Sequence, residues 1–471
     1  MRRTLAPVVA AVAAAAPGTA TAQPIVSAEP GLTVAALPPD PSGAVGLVVP
    51  DAGPTTSERR ARASLVRGSV RNSLHRELPE GPALLALAPR EAGRTVVGIP
   101  SGGEQPNDRR YAIVVPGERG ILVSSSTRIP GLVSISDVAR PGTLAVERRA
   151  DPVGYLEALD RRIRENGRAR APAAALVAAV LIVLALAAPR AAVLGFSTVV
   201  AANLLLGLAG VSSPWVVAVS LGVATAAAWP LARAVRTEVA LGAVSAGVVA
   251  AYGLAMAVDS TWVALSPFGP SQNGRFYGLS NLLATLLLVP ALAAAAIAFR
   301  RFGRTGFAAV AALSVVVVAS SRLGADAGGA IVLAAGYAVL AGALLPTGSR
   351  ARVAALVAAG TVLAAAAALA VGPSTHVTEA LTGGPADLLD ALRDRLRVSW
   401  LRATERWETG LAVGASLAAV AALVARGPRQ PLAVAFAAAI GISMLVNDSP
   451  REVAIGGLAG YLALSRSSGR A

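Results

Sequence analysis

"SPFGPSQNGRFYGLSNLLATLLLVP", residues 266–290, begins as a polar turn and ends as an apolar helix. Its second half has the hydrophobicity of a bilayer span, yet Arg275 and Asn281 stand at the mouth of that span. If the helix begins near Phe276, Asn281 lies about one turn inside the bilayer. An unpaired amide is costly there, so it needs a partner or a water-filled cavity. The stretch thus implies a membrane fold and asks what its polar end handles.

The pattern repeats outward from this stretch. The chain has 471 residues, 54% of them hydrophobic and only 4% aromatic, with a mean hydropathy of +0.61. Eleven apolar spans are expected, at roughly 171–188, 191–211, 214–232, 238–258, 276–298, 306–321, 326–345, 353–371, 410–425, 431–446 and 452–465. The fold class expected is an α-helical polytopic membrane protein of about 11 spans with a small N-terminal extracytoplasmic α/β domain.

The ends of the spans give an orientation. "MRRTLAPVVAAVAAAAPGTATA", residues 1–22, has a positive start, an Ala/Val run and a small-residue cleavage site, as a secretory signal does. With the first span entered from outside, the cytoplasmic connections and tail carry twelve arginines against one acid, Glu238. All 42 basic residues are arginine, and their excess of +15 fits membrane orientation better than nucleic-acid binding. The transmembrane domain is assigned to 171–466, and the C-terminus to the cytoplasm.

Ahead of it, residues 23–42 read as a Pro/Ala/Gly linker and residues 43–146 as an α/β domain. Candidate strands are "AVGLVVP", "ALLALAP", "TVVGIP", "YAIVVPG" and "GILVSS". "PTTSERRARASLVRG" reads as a helix with a Thr55/Glu58 capping box and Gly68 as its stop. Residues 147–170 form an amphipathic connector helix, capped by Asp151 and stopped at Gly167, with Leu156, Leu159 and Ile163 as its apolar face.

The absence of cysteine excludes thiolate chemistry, and His75 and His376 are the only histidines. No metal site and no cofactor are expected. Chemistry must come from four polar segments placed on the outer side: 259–281, "SSRLGADAGGAI" (320–331), 372–409 and "NDSPRE" (447–452). In the second, Arg322 and Asp326 are four apart and could pair, although Asp326 could equally cap the seventh span. A charge held at the bilayer centre costs about 2.5–3.5 kcal/mol, which makes its presence a functional hint. In the fourth, Ser449, Pro450 and Glu452 fit a helix start, leaving Asn447 and Asp448 over. The 386–408 stretch reads as an interfacial amphipathic helix with Trp400 and Trp407 on its apolar side.

"NDRRYAIVVPGERGILVSSSTRIPGLVSISDVA", together with "GRFYGLSN", "GADAGGAI" and "NDS", resembles an uncharacterised family of actinobacterial polytopic membrane proteins. That resemblance covers most of the chain and implies no particular activity. "GILVSSSTRIPGLVSISDVA" is also similar to a segment of the alkaline-phosphatase superfamily, in which a Ser/Thr-Arg loop precedes a strand and an aspartate. The second resemblance implies that Asp51 matches the first metal-binding aspartate. The domain is far shorter than that fold and lacks its histidine ligands, which implies a reduced, non-catalytic version that recognises an anionic group.

The expectation is a transporter or flippase-like protein of the bacterial cell membrane, handling an anionic cell-envelope substrate, free or lipid-linked, at the outer leaflet. Arg275, Asn281, Arg322, Asp326 and Asp448 are its candidate binding residues. The alternatives are a metal-independent transferase on a lipid-linked donor, with Asp326 or Asp448 as general base, and a scaffold binding envelope proteins through 43–146.

Overall fold

The computed structural model describes residues 24–70, 83–140, 142–270, 276–344, 385–426, 430–447 and 449–467. The expected signal, the 353–371 span and both histidines lie outside the described residues.

The N-terminal part is a sheet domain. Its strands are β1 (Ile25–Pro30), β2 (Gly43–Val49), β3 (Thr55–Thr56), β4 (Ala86–Leu87), β5 (Thr95–Ile99), β6 (Gln105–Pro106), β7 (Tyr111–Pro116), β8 (Gly120–Ser124), β9 (Leu132–Ser134) and β10 (Leu144–Glu147). The main sheet runs β10-β8-β2-β7-β5-β1-β4, with β9 beside β2, while β3 and β6 form a separate ribbon. β2 pairs antiparallel with β7 (Val45↔Val114) and parallel with β8 and β9 (Ala44↔Gly120, Leu47↔Leu132). Its unbroken apolar run, GAVGLVV, suits a central strand covered on both faces.

Alternation along β2 divides the two cores. Ala44 and Val48 point into the core that contains Ala61 and Leu65 of the Glu58–Arg67 helix. Val45, Leu47 and Val49 point the other way, onto Leu156, Leu159 and Ile163. The apolar face of the connector therefore lies on the sheet. Each such side chain, buried in full, contributes about 1.5–3 kcal/mol.

Three local expectations change. Residues 23–42 are not a linker, because Ile25–Pro30 pairs with β5 and β4 as an inner strand of the sheet. Thr55 lies in β3, and the helix cap is Ser57, whose side chain accepts from the Arg60 N–H. Gly68 ends that helix in the left-handed conformation, as expected (φ 59°). Gly167 does not stop the connector: one 36-residue helix, Pro152–Ala187, runs through it and through Pro172. A single interior glycine costs about 1 kcal/mol, and the burial of Ala169, Ala173 and Val177 beyond it outweighs that.

Among the described residues, six helices are long and apolar enough to cross a membrane: Pro152–Ala187, Pro189–Ala209, Pro214–Ala234, Glu238–Val258, Asn281–Ala319 and Trp407–Arg426. Gly328–Leu344 and Pro431–Val446 are shorter apolar helices, and Pro450–Ser467 packs among them. Asn281–Ala319 contains two helices that meet at the non-helical Gly303 (φ 64°, ψ −149°), one for each of the expected 276–298 and 306–321 spans. Its most apolar window is 83% buried against 11% for Trp407–Arg426, so it forms the centre of the bundle and the latter its edge. Leu205, Leu254, Val183, Trp400 and Trp407 are exposed, as a lipid-facing surface requires.

Arginine-rich connections gather at the end away from the sheet. Arg190 donates to the Val235 carbonyl (3.1 Å), Arg300 pairs with Glu238 (3.0 Å) and Arg466 reaches the Leu186 carbonyl (3.5 Å).

Candidate functional site at the joint between sheet and bundle

The opposite end of the bundle is built from broken backbone. The Glu238–Val258 helix gives way to a short turn of helix, Thr261–Ala264, and a descending segment that buries Phe268 completely. Asn203, inside the Pro189–Ala209 helix, holds this segment. Its Oδ1 accepts from the Phe268 N–H, and its Nδ2 donates to Tyr252 Oη and Ser266 Oγ, each at 2.9 Å. From the connector, Asn166 Nδ2 donates to the Leu265 carbonyl (2.9 Å) and Arg170 Nη1 to the Gly269 carbonyl (3.0 Å). A buried amide with both ends engaged fixes one arrangement of the chain.

Gly278 joins this segment to the second break. It has φ 80°, and a Cβ there would collide with the Gly324 carbonyl oxygen. The neighbouring Leu279 N–H donates to the same carbonyl at 2.9 Å. The central helix then starts at Asn281, capped by Ser280. Asn281 therefore lies at the helix start rather than one turn within it, and its Nδ2 donates to Ser449 Oγ at 3.2 Å. That contact ties the central helix to the start of Pro450–Ser467. Glu452, one turn further on, approaches Arg170 (3.9 Å).

At the second break the helix ending at Ala319 closes with Gly324 N–H on the Val317 carbonyl and Ala325 N–H on the Ser320 carbonyl. Asp326 follows, 3% exposed, immediately before the Ala327–Leu344 helix. Its carboxylate folds over the first turn, where a Cβ on Gly329 would lie 2.5 Å from Oδ2. A Cβ on Gly328 would meet Asn447 Oδ1 at 2.7 Å and Asp326 Oδ1 at 3.6 Å. The two glycines thus let the Asp326 and Asn447 side chains approach one another. Asn447 ends the Pro431–Val446 helix, donates to Ser443 Oγ (2.8 Å) and is bridged to the amphipathic helix by Ser399 Oγ on its carbonyl (2.7 Å).

The sheet domain covers this joint. Phe276, Ala264 and Leu265 belong to the same core as Val45, Leu47 and Leu156. Arg128 extends from the Ser/Thr-Arg loop, donates from Nη1 to the Ser321 carbonyl (2.7 Å) and stacks its guanidinium over the Tyr277 ring at 4.1 Å. Arg128 (φ 56°) and Ala325 (φ 47°) are, among the described residues, the two non-glycine residues with positive φ. Both lie in this joint, and such outliers persist only where surrounding contacts enforce them.

Of the expected site residues, Asn281 and Asp326 are brought to the joint. Arg275 and Asp448 lie outside the described residues. Arg322 is exposed, and among the described residues no ion pair joins it to Asp326, so the expected i, i+4 pair does not form. A break in the helix at 320–326 removes the spacing that pair needed. Arg128, Arg170, Asn203 and Asn447 join the site without having been expected there. A polar amide within "VVAANLLLGLAG" is a visible signal for Asn203, as the leftover amide of "NDSPRE" is for Asn447 and the Ser/Thr-Arg loop for Arg128; the long-range contacts of Arg170 leave none.

In the sheet domain Asp51 is fully buried at the end of β2. Its Oδ1 accepts from the Ala52 and Gly53 N–H groups (2.7 and 3.2 Å), and its Oδ2 pairs with Arg60 (3.1 Å). Burial raises its pKa above the ordinary carboxylate value, against the lowering by these partners. An arginine thus stands where the superfamily resemblance implies a metal, and no group of three or more His, Cys, Asp or Glu residues gathers among the described residues. Asp137, the later aspartate of that resemblance, accepts from Ser124 (2.7 Å), Ser126 (2.5 Å) and the Ser134 N–H (3.0 Å), and so holds the loop that presents Arg128. Arg110 is buried, and burial lowers its pKa against the opposing charges of Asp160 and Asp108.

Comparison with protein-family models, curated proteins and solved structures yields no match.

Proposed function

We propose that the chain is a transporter or flippase-like protein of a bacterial cell membrane, receiving an anionic envelope substrate, lipid-linked forms included, at the joint beneath the sheet domain. The observation that carries this reading is the convergence of three polar connections between helices at that joint. Asn281, Asp326, Asn447 and Ser449 come from separate segments and meet where the central helix begins. Buried polar groups among membrane helices are a default sign of a functional site, since irregular backbone is tolerated at depth only where protein or a cavity satisfies it. Arginine-rich connections at the other end support an outward-facing joint through the positive-inside rule. The expected contribution of Arg275 is charge neutralisation of phosphate or carboxylate.

The test is native mass spectrometry of the full chain in mild detergent. Wild type should retain a defined anionic lipid or glycolipid that Arg275→Ala and Asp326→Asn lose.

A second reading, an assembly scaffold without catalysis, is supported by Asp51, whose carboxylate is already engaged by Arg60 and two backbone N–H groups. Capture of an envelope protein that survives both substitutions but is lost on removal of the whole sheet domain, 24–147, would favour it.

A further inference from the structure

Arg128 brings more to the joint than a tie between two segments needs. Its Nη1 donates to the Ser321 carbonyl at 2.7 Å, and its guanidinium lies 4.1 Å over the Tyr277 ring. Among the described residues its Nε and Nη2 have no protein acceptor, and neither atom is sealed from the outside. A tie to one carbonyl needs one donor, which a neutral side chain supplies. This position instead holds a charged fork with one edge open, on a backbone at φ 56° that only surrounding contacts maintain. A guanidinium fixed by stacking and one hydrogen bond is preorganised for an oxyanion on its remaining edge.

A second charge stands beside it. Arg322 follows Ser321 directly, so their Cα atoms are about 3.8 Å apart. Its side chain is exposed and makes no ion pair among the described residues. The acids of the two segments are turned to other partners. Asp137 accepts from the Ser124 and Ser126 hydroxyls and the Ser134 N–H, while Asp326 is buried over the first turn of its own helix. The rim of the joint therefore carries two guanidinium charges, from two separate segments, with no carboxylate paired to either among the described residues. One fork saturates the two oxygens of a carboxylate, whereas the tetrahedral oxygens of a phosphate accept forks from two directions.

We propose that Arg128 and Arg322 clamp a phosphate group at this rim, Arg128 through its open Nε/Nη2 edge, so that the sheet domain supplies the headgroup site. The proposal rests on the transport reading and narrows its anionic substrate to a phosphate, carried on a lipid or free.

Thermal midpoints of the purified full chain in neutral detergent test it, with farnesyl phosphate, farnesol and inorganic phosphate as the added probes. Wild type should be stabilised saturably by farnesyl phosphate and not by farnesol, which has the tail alone. Inorganic phosphate saturating at the same concentration assigns the site to free phosphate, and a need for the tail assigns it to a lipid-linked one. Arg128→Lys keeps the charge but loses the fork, and Arg322→Gln breaks no contact among the described residues. Each should raise the half-saturating concentration about tenfold or more. Arg301→Gln, at the arginine-rich end, should leave it within about twofold. Because Arg128 also ties the mouth, Arg322→Gln decides: half-saturation unchanged in that variant overturns the clamp. Equal stabilisation by farnesol, or an equal loss in Arg301→Gln, overturns it too. A native lipid lost from Arg275→Ala and Asp326→Asn, with the probe bound alike by wild type and Arg322→Gln, sinks the clamp alone. Probe binding lost in Arg322→Gln, with no native lipid retained by wild type, sinks the lipid-retention reading instead.

Discussion

Arg128 of the sheet domain donates a 2.7 Å hydrogen bond to the carbonyl of Ser321, in the break between two membrane helices. The residues are 193 positions apart, and the contact carries a formal charge into the joint. Since Leu279 and Gly324 are bonded to each other directly below, Arg128 holds the two mouth segments as one unit. The sheet domain is thus part of the site's architecture.

Removing that contact should loosen the mouth. A hydrogen bond from a charged group contributes about 1.5–3 kcal/mol and the stacking on Tyr277 about 0.5–1 kcal/mol. Glycine at this left-handed position escapes the backbone penalty of about 1–2 kcal/mol that alanine keeps, so Arg128→Gly should be milder than Arg128→Ala. Hydrogen exchange should quicken in peptides covering 276–280 and 320–326, more in the alanine variant than in the glycine one. Unchanged exchange in both segments would mean that the apolar core alone holds the joint.

Two glycines with nearly equal φ separate backbone strain from crowding. Gly93 has φ 81° and open space where a Cβ would stand, whereas Gly278 has φ 80° and the Gly324 carbonyl oxygen in that place. Alanine should cost about 1–2 kcal/mol at Gly93 through φ alone, but more than about 4 kcal/mol at Gly278, where the carbonyl must also move. Thermal midpoints of the purified variants measure the difference. Equal shifts would show that the two mouth segments are not in close contact.

Asp51 and Arg60 predict a pH-dependent pair. Because burial raises the Asp51 pKa above 3.8, the folded protein binds that proton more tightly than the unfolded chain. The resulting stability is present below about pH 3.8 and is lost as pH rises through the higher folded value. Asp51→Asn removes the titration, so its stability relative to wild type should improve as pH increases across that window. Arg60→Met leaves the carboxylate buried without its guanidinium and should cost about 3–5 kcal/mol at neutral pH. Thermal melts from about pH 4 to 7 distinguish the two, and a wild-type advantage over Asp51→Asn that grows with pH would contradict the account.

Those parts of the fold whose pattern is local are legible in the sequence. β2, β5, β7 and β8 follow apolar runs bounded by turn residues, and the helix starts at Pro152 and Pro450 follow cap chemistry. β1 escapes such reading because "IVSAEP" sits in a Pro/Ala/Gly-rich stretch and gains its identity only from pairing with β5. Thr55 and Ser57 are both valid caps two residues apart, and the β3–β6 ribbon decides between them. Asn281 and Asp326 are visible as polar residues at the ends of apolar runs. Asn447 is overshadowed by the charged Asp448 beside it, and Arg128 looks like one arginine among many. Their roles depend on contacts across the chain, which periodicity does not record.

The most direct test of the central claim is native mass spectrometry of the full chain, comparing wild type with Arg275→Ala and Asp326→Asn. The account predicts one anionic lipid or glycolipid retained by wild type and lost from both variants. Equal retention of ordinary phospholipids by all three proteins would contradict it, and would leave the polar residues of the joint with a structural role only.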